Sequence, residues 1–272
     1  MNERENNMKG NKTAVRTVLI FTLIMGIMTL MIMLSANAKQ SNNTYITVDP
    51  TTMELIQLDE PAEGDPIAIV DTTLGEFRFV LYPQYSPNAV KNFTELAESG
   101  YYDGTYVFDS VSGAYSSAGA PNKDGSVNDR SHEAVKRELH ENLWPFKGAI
   151  CTMTTSVDRG VKEFLFGGGK YFNGSRFTII NTVKFDDQMK EDIREVSESK
   201  ELGEAFIEKG GIPNFSQQMT VIGQTYEGLD VVEKLASLET SDSGSYSTPK
   251  EDIMINSVKI DKFSKNDQPS KD

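Results

Sequence analysis

Few side chains in this sequence carry the nucleophilic or metal-ligating chemistry that an active site draws on. Among 272 residues there is one cysteine and there are two histidines. Cys151 stands in the apolar run "GAICTM", which suits a buried small hydrophobe better than a nucleophile, and a lone cysteine makes no intrachain disulfide. His132 and His140 lie in a charged stretch, and so few ligands weigh against a metal site. "FGGGKY", ending at Tyr171, invites a phosphate-loop reading. Its spacing is wrong: Tyr171 stands where Ser or Thr should hold a metal, and no further glycine leads the loop. What remains is "GTYVFDSVSGAYSSAGAP", residues 104–121. Tyr106, Val107, Phe108 and Val111 suit a pleated sheet, so the stretch reads as two short strands with a turn between them. Then bulk disappears, from Ser112 through Ala120, with Tyr115 the one exception. A strand this small borders a cavity, admits another backbone, or is the remnant of a site.

The elements that would position such a wall follow from pattern. Ile67, Ile69, Phe77, Phe79 and Leu81 fall at period two on either side of Thr-Leu-Gly and predict a hairpin. "SPNAVKNFTELAESG" predicts a helix capped by Ser86, with Pro87 in its first turn, Gly100 at its end, and Val90, Phe93, Leu96 and Ala97 as its buried stripe. Residues 155–172 and 181–209 read as insertions. In the second, Phe185, Met189, Ile193 and Val196 make a stripe that predicts one helix on the surface. "TVIG", a short helix in "GLDVVEKLASL" and a strand in "IMINSVKI" complete a mostly β, α+β domain over 65–264, and 265–272 reads as a disordered tail.

Residues 18–34 carry no charge and follow Lys9, Lys12 and Arg16. By the positive-inside rule, residues 1–16 stay cytoplasmic and 17–38 form a transmembrane anchor. Ala36-Asn37-Ala38 leaves a signal peptide, cleaved after Ala38, as the alternative. Either places the rest outside the cytoplasm, with 39–64 as a tether carrying a short strand near Tyr45–Val48. A net charge of −13 repels phosphate backbones and disfavours nucleic-acid partners.

Four stretches, in order, resemble the cyclophilin family of peptidyl-prolyl isomerases, its bacterial branch in particular: "SPNAVKNFTELAESGYYDGT", "NLWPFKGAI", "NGSRFTI" and "TVIGQTYEGLDVVEKLA". The resemblance implies a closed eight-stranded barrel capped by two helices, no cofactor, and a polypeptide partner. It also implies a chemistry. Rotation about the bond before proline breaks amide resonance, a barrier of about 18–20 kcal/mol. The family seats the prolyl ring in an apolar, partly aromatic pocket, and an arginine donates to the prolyl nitrogen.

The departures from the family gather at those positions. Aligned without gaps, Asp109 falls at the arginine, Ala114 at the pocket phenylalanine and Ser117 at the glutamine. Sliding by one puts Ser110, Tyr115 and Ala118 there instead. Thr152, Met153 and Thr154 fall on the family's "MAN". Arg176 replaces a glutamine, Thr178 the second phenylalanine and Met219 the histidine. Asn214 falls where tryptophan or histidine often stands, and Phe215 keeps an apolar character. The expectation is a membrane-tethered domain that binds exported or cell-surface polypeptides, with isomerase activity weak or lost. The alternative is an active isomerase built on Tyr115, Arg176 and Phe215; a glycan-binding barrel is the rival from another class. In the ungapped register Asp109 and Arg176 face one groove, and an ion pair between them is expected.

Overall fold

A computed structural model describes residues 45–127, 135–156 and 171–265. One antiparallel path of eight strands forms the body. In spatial order these are β11 (Ile255–Lys262), β1 (Pro66–Thr72), β2 (Gly75–Leu81), β8 (Thr220–Glu227), β6 (Ala149–Ser156), β7 (Tyr171–Ile180), β4 (Tyr115–Ala120) and β3 (Tyr106–Val111). The short β5 (Val135–Lys136) pairs with β7. A bridge between Tyr106 and Met254, with bonds from Val107 N to Ile253 O and from Gly104 N to Ile255 O, links β3 to the lead-in of β11. A separate hairpin, β9 (Thr240–Ser243) and β10 (Tyr246–Pro249), packs against β3.

Helix α1 (Pro87–Glu98) buries Val90, Phe93, Leu96 and Ala97, as its stripe predicts, and α4 (Leu229–Leu235) buries Val231, Val232 and Leu235 in the same core. Phe93 packs on Phe79, Tyr102 and Phe177 at ring separations of 5.2–5.7 Å. Two local expectations change. In β1 it is Ala68 and Val70 that face this core, not Ile67 and Ile69. "PIAIV" is apolar at every position, so register decides: the two-residue turn sets Val70 opposite Phe77 and Ala68 opposite Phe79. Ser86 does not cap α1; its Oγ donates to Val221 O at 2.8 Å. Glu138 takes the role, accepting from Asn88 N and from Ala89 N at 2.8 Å.

The 181–209 insertion is two helices rather than one, α2 (Asp187–Val196) and α3 (Lys200–Lys209). Asp186 and Ser199 cap them, and Gly210, at φ +84°, follows the end of α3. The single stripe fails because Met189 and Val196 are exposed; Ile193, Leu202, Ala205 and Phe206 instead pack with Trp144 and Phe146.

From Tyr45 onward the expected tether is part of the fold, and no strand forms at 45–48. Gln57 is buried: its Nε2 donates to Trp144 O and Gln224 Oε1, both at 2.9 Å, and its Oε1 accepts from Trp144 N. Val48, Met53 and Leu55 pack beside Trp144, and Ile56 against a second apolar cluster on the outer face of the sheet. Enough apolar side chains sit among the acids to dock this arm. Among the described residues no helix is long and apolar enough to cross a membrane; residues 17–38, the 157–170 part of the first insertion with its glycine loop, His132 and the 266–272 tail lie outside them.

Candidate functional site

Pairing across four strand junctions sets one row of side chains on the outer face of the sheet: Asp109 opposite Ser117, Ser117 opposite Thr178, Thr178 opposite Cys151, and Cys151 opposite Val221. A bulge where Phe108 sits puts Asp109 on this face. Ser110 turns away and donates to Leu235 O at 2.8 Å, and Ala118 joins the inner core. Asp109 and Ser117 thus share this face, directly opposite one another. The aromatic that accompanies them is Tyr115, two residues from Ser117 on the same face, while Ala114 packs in the outer cluster.

The row is short-chained and sealed. Ser117 and Thr178 are each 1% exposed and satisfy one another, Oγ to Oγ1 at 3.1 Å; Asp109 is 5% exposed. On the same face Tyr115 and Phe215 pack together, ring centroids 5.5 Å apart, with Met219 in the same apolar cluster. Phe215 and Asn214 come from a short 3-10 turn, Pro213–Phe215, in which Asn214 is exposed. Met153 and Thr154 lie at a bulge in β6, where Thr154 Oγ1 meets Asn173 Oδ1 at 3.1 Å; Thr152 is buried beside Thr220.

Asp109 and Arg176 do not pair; each turns to the β9–β10 hairpin. Asp109 Oδ1 accepts from Ser247 N at 2.9 Å. Arg176 Nη1 donates to Gly125 O and to the Tyr246 hydroxyl, both at 2.9 Å, and its guanidinium lies 5.8 Å from the Phe108 ring centre. Phe108 in turn packs edge-on against Tyr246 at 4.9 Å. Gly125 is required here: a Cβ on it would stand 2.5 Å from the Phe108 ring. Burial pushes the Asp109 carboxyl above its ordinary range, against the opposing effect of the Ser247 N–H and the nearby Tyr115 hydroxyl. Burial also raises the Tyr115 phenol, with the Asp109 charge adding to it. Cys151, fully buried with its thiol pushed up to about 12, is no nucleophile.

Several participants carry no signal that pattern reading finds. Tyr246 and Ser247 come from a hairpin about 70 and 140 residues away from their partners. Gln217 is the one non-glycine residue with positive φ among those described, at 59°, and its Oε1 accepts from Ile46 N at 2.8 Å, tying the N-terminal arm to the loop that carries Phe215. Arg137 is buried and donates from Nη1 to Gln218 O at 3.2 Å, next to Met219. His140 packs edge-on with Tyr85, and burial lowers its pKa. The face as a whole presents an aromatic and thioether surface above a carboxylate, with Arg176 committed elsewhere.

A sequence model of the cyclophilin type peptidyl-prolyl cis-trans isomerase/CLD family matches residues 67–260. A Streptococcus pyogenes protein, named as a bifunctional phosphatase/peptidyl-prolyl cis-trans isomerase, is 26% identical over 211 residues; the match covers 76% of this chain and 41% of that protein. A Staphylococcus saprophyticus protein whose name assigns it to the peptidyl-prolyl cis-trans isomerases is 26% identical over 206 residues, 75% of this chain and 96% of its own. A Cryptosporidium parvum cyclophilin structure superposes with a TM-score of 0.52 at 18% identity, covering 73% of this chain and 98% of its own. Another structure of that protein, determined in the presence of the dipeptide Ala-Pro, gives 0.51. With the family match spanning both faces of the sheet and both capping helices, this chain belongs to the cyclophilin-type peptidyl-prolyl cis-trans isomerase family.

Proposed function

We propose that the chain is a membrane-tethered, extracytoplasmic cyclophilin-like domain that binds exported or cell-surface polypeptides and isomerises prolyl bonds weakly or not at all. One observation supports the loss of activity: Asp109, which the ungapped alignment sets at the arginine position, is a carboxylate that accepts from Ser247 N, where the chemistry needs a donor. A carboxylate repels the electron-rich prolyl nitrogen of the twisted transition state, and Arg176 spends its donors on Gly125 and Tyr246. Losing one preorganised donor costs about 2.7–4 kcal/mol, or about 100- to 1,000-fold in rate. Polypeptide binding draws support from the Ala-Pro dipeptide named with the Cryptosporidium parvum structure and from the half-buried Phe215 and Met219 on the outer face. The test is a peptide isomerisation assay at low temperature, where the uncatalysed step takes minutes. A rate within about tenfold of an arginine-bearing family member overturns the reading, because under about 1.4 kcal/mol then separates them.

The tether rests on the uncharged run 18–34 behind Lys9, Lys12 and Arg16. With Ser41→Cys, a membrane-impermeant thiol reagent labels intact cells; labelling only after lysis overturns the topology, and a mature chain starting at Lys39 replaces the anchor with a cleaved signal. A second reading, an active isomerase with relocated groups, draws on the buried Arg137 guanidinium beside Gln218. In that case the assay finds full activity, and Arg137→Ala abolishes it.

A further inference from the structure

We propose that Tyr115 is a built-in occupant of the groove: its ring fills the space against β4 and β7 that a prolyl ring would take, and a polypeptide enters when Tyr115 swings out. The proposal rests on the polypeptide-binding reading and adds to it the residue that controls entry. The argument begins with register. Tyr115 pairs with Val111 and Ser117 with Asp109, so Tyr115 and Asp109 are diagonal neighbours on one face. Diagonal positions lie about 7–8 Å apart, within reach of an aromatic side chain. Tyr115 is placed for that crossing, and its ring packs on Phe215 at 5.5 Å.

The floor beneath shows the consequence. Ser117 and Thr178 are short side chains on the outer face, and without a cover they would meet solvent. Each is 1% exposed instead, while Tyr115 itself is half-buried. The small residues of β4 and Thr178 leave the hollow, and the half-buried ring two residues along the same face, packed on Phe215, is the side chain we assign to it. The carboxylate that faces the hydroxyl is itself held by Ser247 N at 2.9 Å, so the β9–β10 hairpin sets where the ring comes to rest. Burial of both groups pushes the Asp109 carboxyl and the Tyr115 phenol above their ordinary values, consistent with a ring folded down over the carboxylate.

Binding of the tetrapeptide Ala-Ala-Pro-Ala amide to the detergent-solubilised full chain, followed by titration calorimetry, separates an occupant from a tyrosine that only packs. Tyr115→Ala removes the ring and is expected to bind at least about tenfold tighter than wild type; Tyr115→Phe, which keeps the ring and loses only the hydroxyl contact, falls between them. Equal or weaker binding by a folded Tyr115→Ala chain overturns the proposal and leaves the polypeptide reading standing if wild type binds. Binding by no variant overturns both. A readout on the wild type guards against misfolding of the alanine variant. With ring-labelled tyrosine and phenylalanine, the nuclear Overhauser contact between Tyr115 and Phe215 is lost at saturating peptide; its persistence with peptide bound overturns the proposal.

Discussion

Strands β4 and β7 face two ways, and the two faces follow different rules. Inward, Phe177 lies against Phe93 and Tyr102 in a fully buried aromatic cluster, with Ala118 beside it. Outward, one residue along, Thr178 meets Ser117 through a pair of hydroxyls. The inner face keeps bulk because each lost methylene leaves a cavity that a close-packed interior cannot fill. The outer face keeps its short polar side chains buried by pairing them with each other, Ser117 with Thr178. A barrel can therefore hold its shape while the chemistry on its outer wall is replaced, since stability and catalysis draw on alternate residues of the same strands.

The largest test of that contrast sets neighbours against each other. Phe177→Ala is expected to cost about 3–5 kcal/mol in denaturant unfolding, and Thr178→Ala about 0.5–1.5 kcal/mol. Similar losses at the two positions break the comparison. Gln57→Ala probes the arm: it strips partners from Trp144 N, Trp144 O and Gln224 at once. A cost of about 1–3 kcal/mol is expected; a neutral result means the arm is not part of the cooperative fold. Tyr246→Phe removes the hydroxyl that accepts from Arg176 but keeps the ring on Phe108, and should cost about 0.5–1.5 kcal/mol.

The smallest effect has the opposite sign. Asp109 has a folded-state pKa above its ordinary 3.8 because burial disfavours the charge. The folded chain then binds its proton more tightly than the unfolded one, so this carboxyl lowers stability as pH rises through the folded value. Asp109→Asn keeps an acceptor for Ser247 N and removes the charge. It is expected to be more stable than wild type at neutral pH, and the gap to narrow as pH falls toward 3.8. A gap that widens on acidification removes burial as the cause.

The helix at 87–98, the hairpin at 66–81 and the short strands around residue 113 were legible because each rests on local chemistry: a proline start and glycine stop, a two-residue turn, alternation. The face of β1 was not, because Ile and Val on both sides leave only cross-strand pairing to choose. The Asp109–Arg176 pair was expected from a shared groove, and it fails because the β9–β10 hairpin satisfies each first. Nothing near either residue in sequence announces that hairpin. The two-helix insertion was read as one helix because the stripe that was read ends at Val196, while the second helix starts beyond the Ser199 cap with its own buried Leu202, Ala205 and Phe206. Tyr115 shows the limit most clearly: spacing places it on the wall, but its contact with Phe215 comes from a turn 100 residues away.

The docked arm also sets a load path. Tension on the chain ahead of Tyr45 does not reach β1 directly. It arrives first at the bond between Ile46 N and Gln217 Oε1, in the loop that carries Phe215, and then at Asp49 and Glu54, whose N–H groups donate to Glu141 and Asn142. These anchors are met in sequence, so a pull loads the loops at Gln217 and at Glu141–Asn142 before it reaches β1. Gln217, at φ +59°, is the first link, and its neighbour two residues before it is the ring that packs against Tyr115.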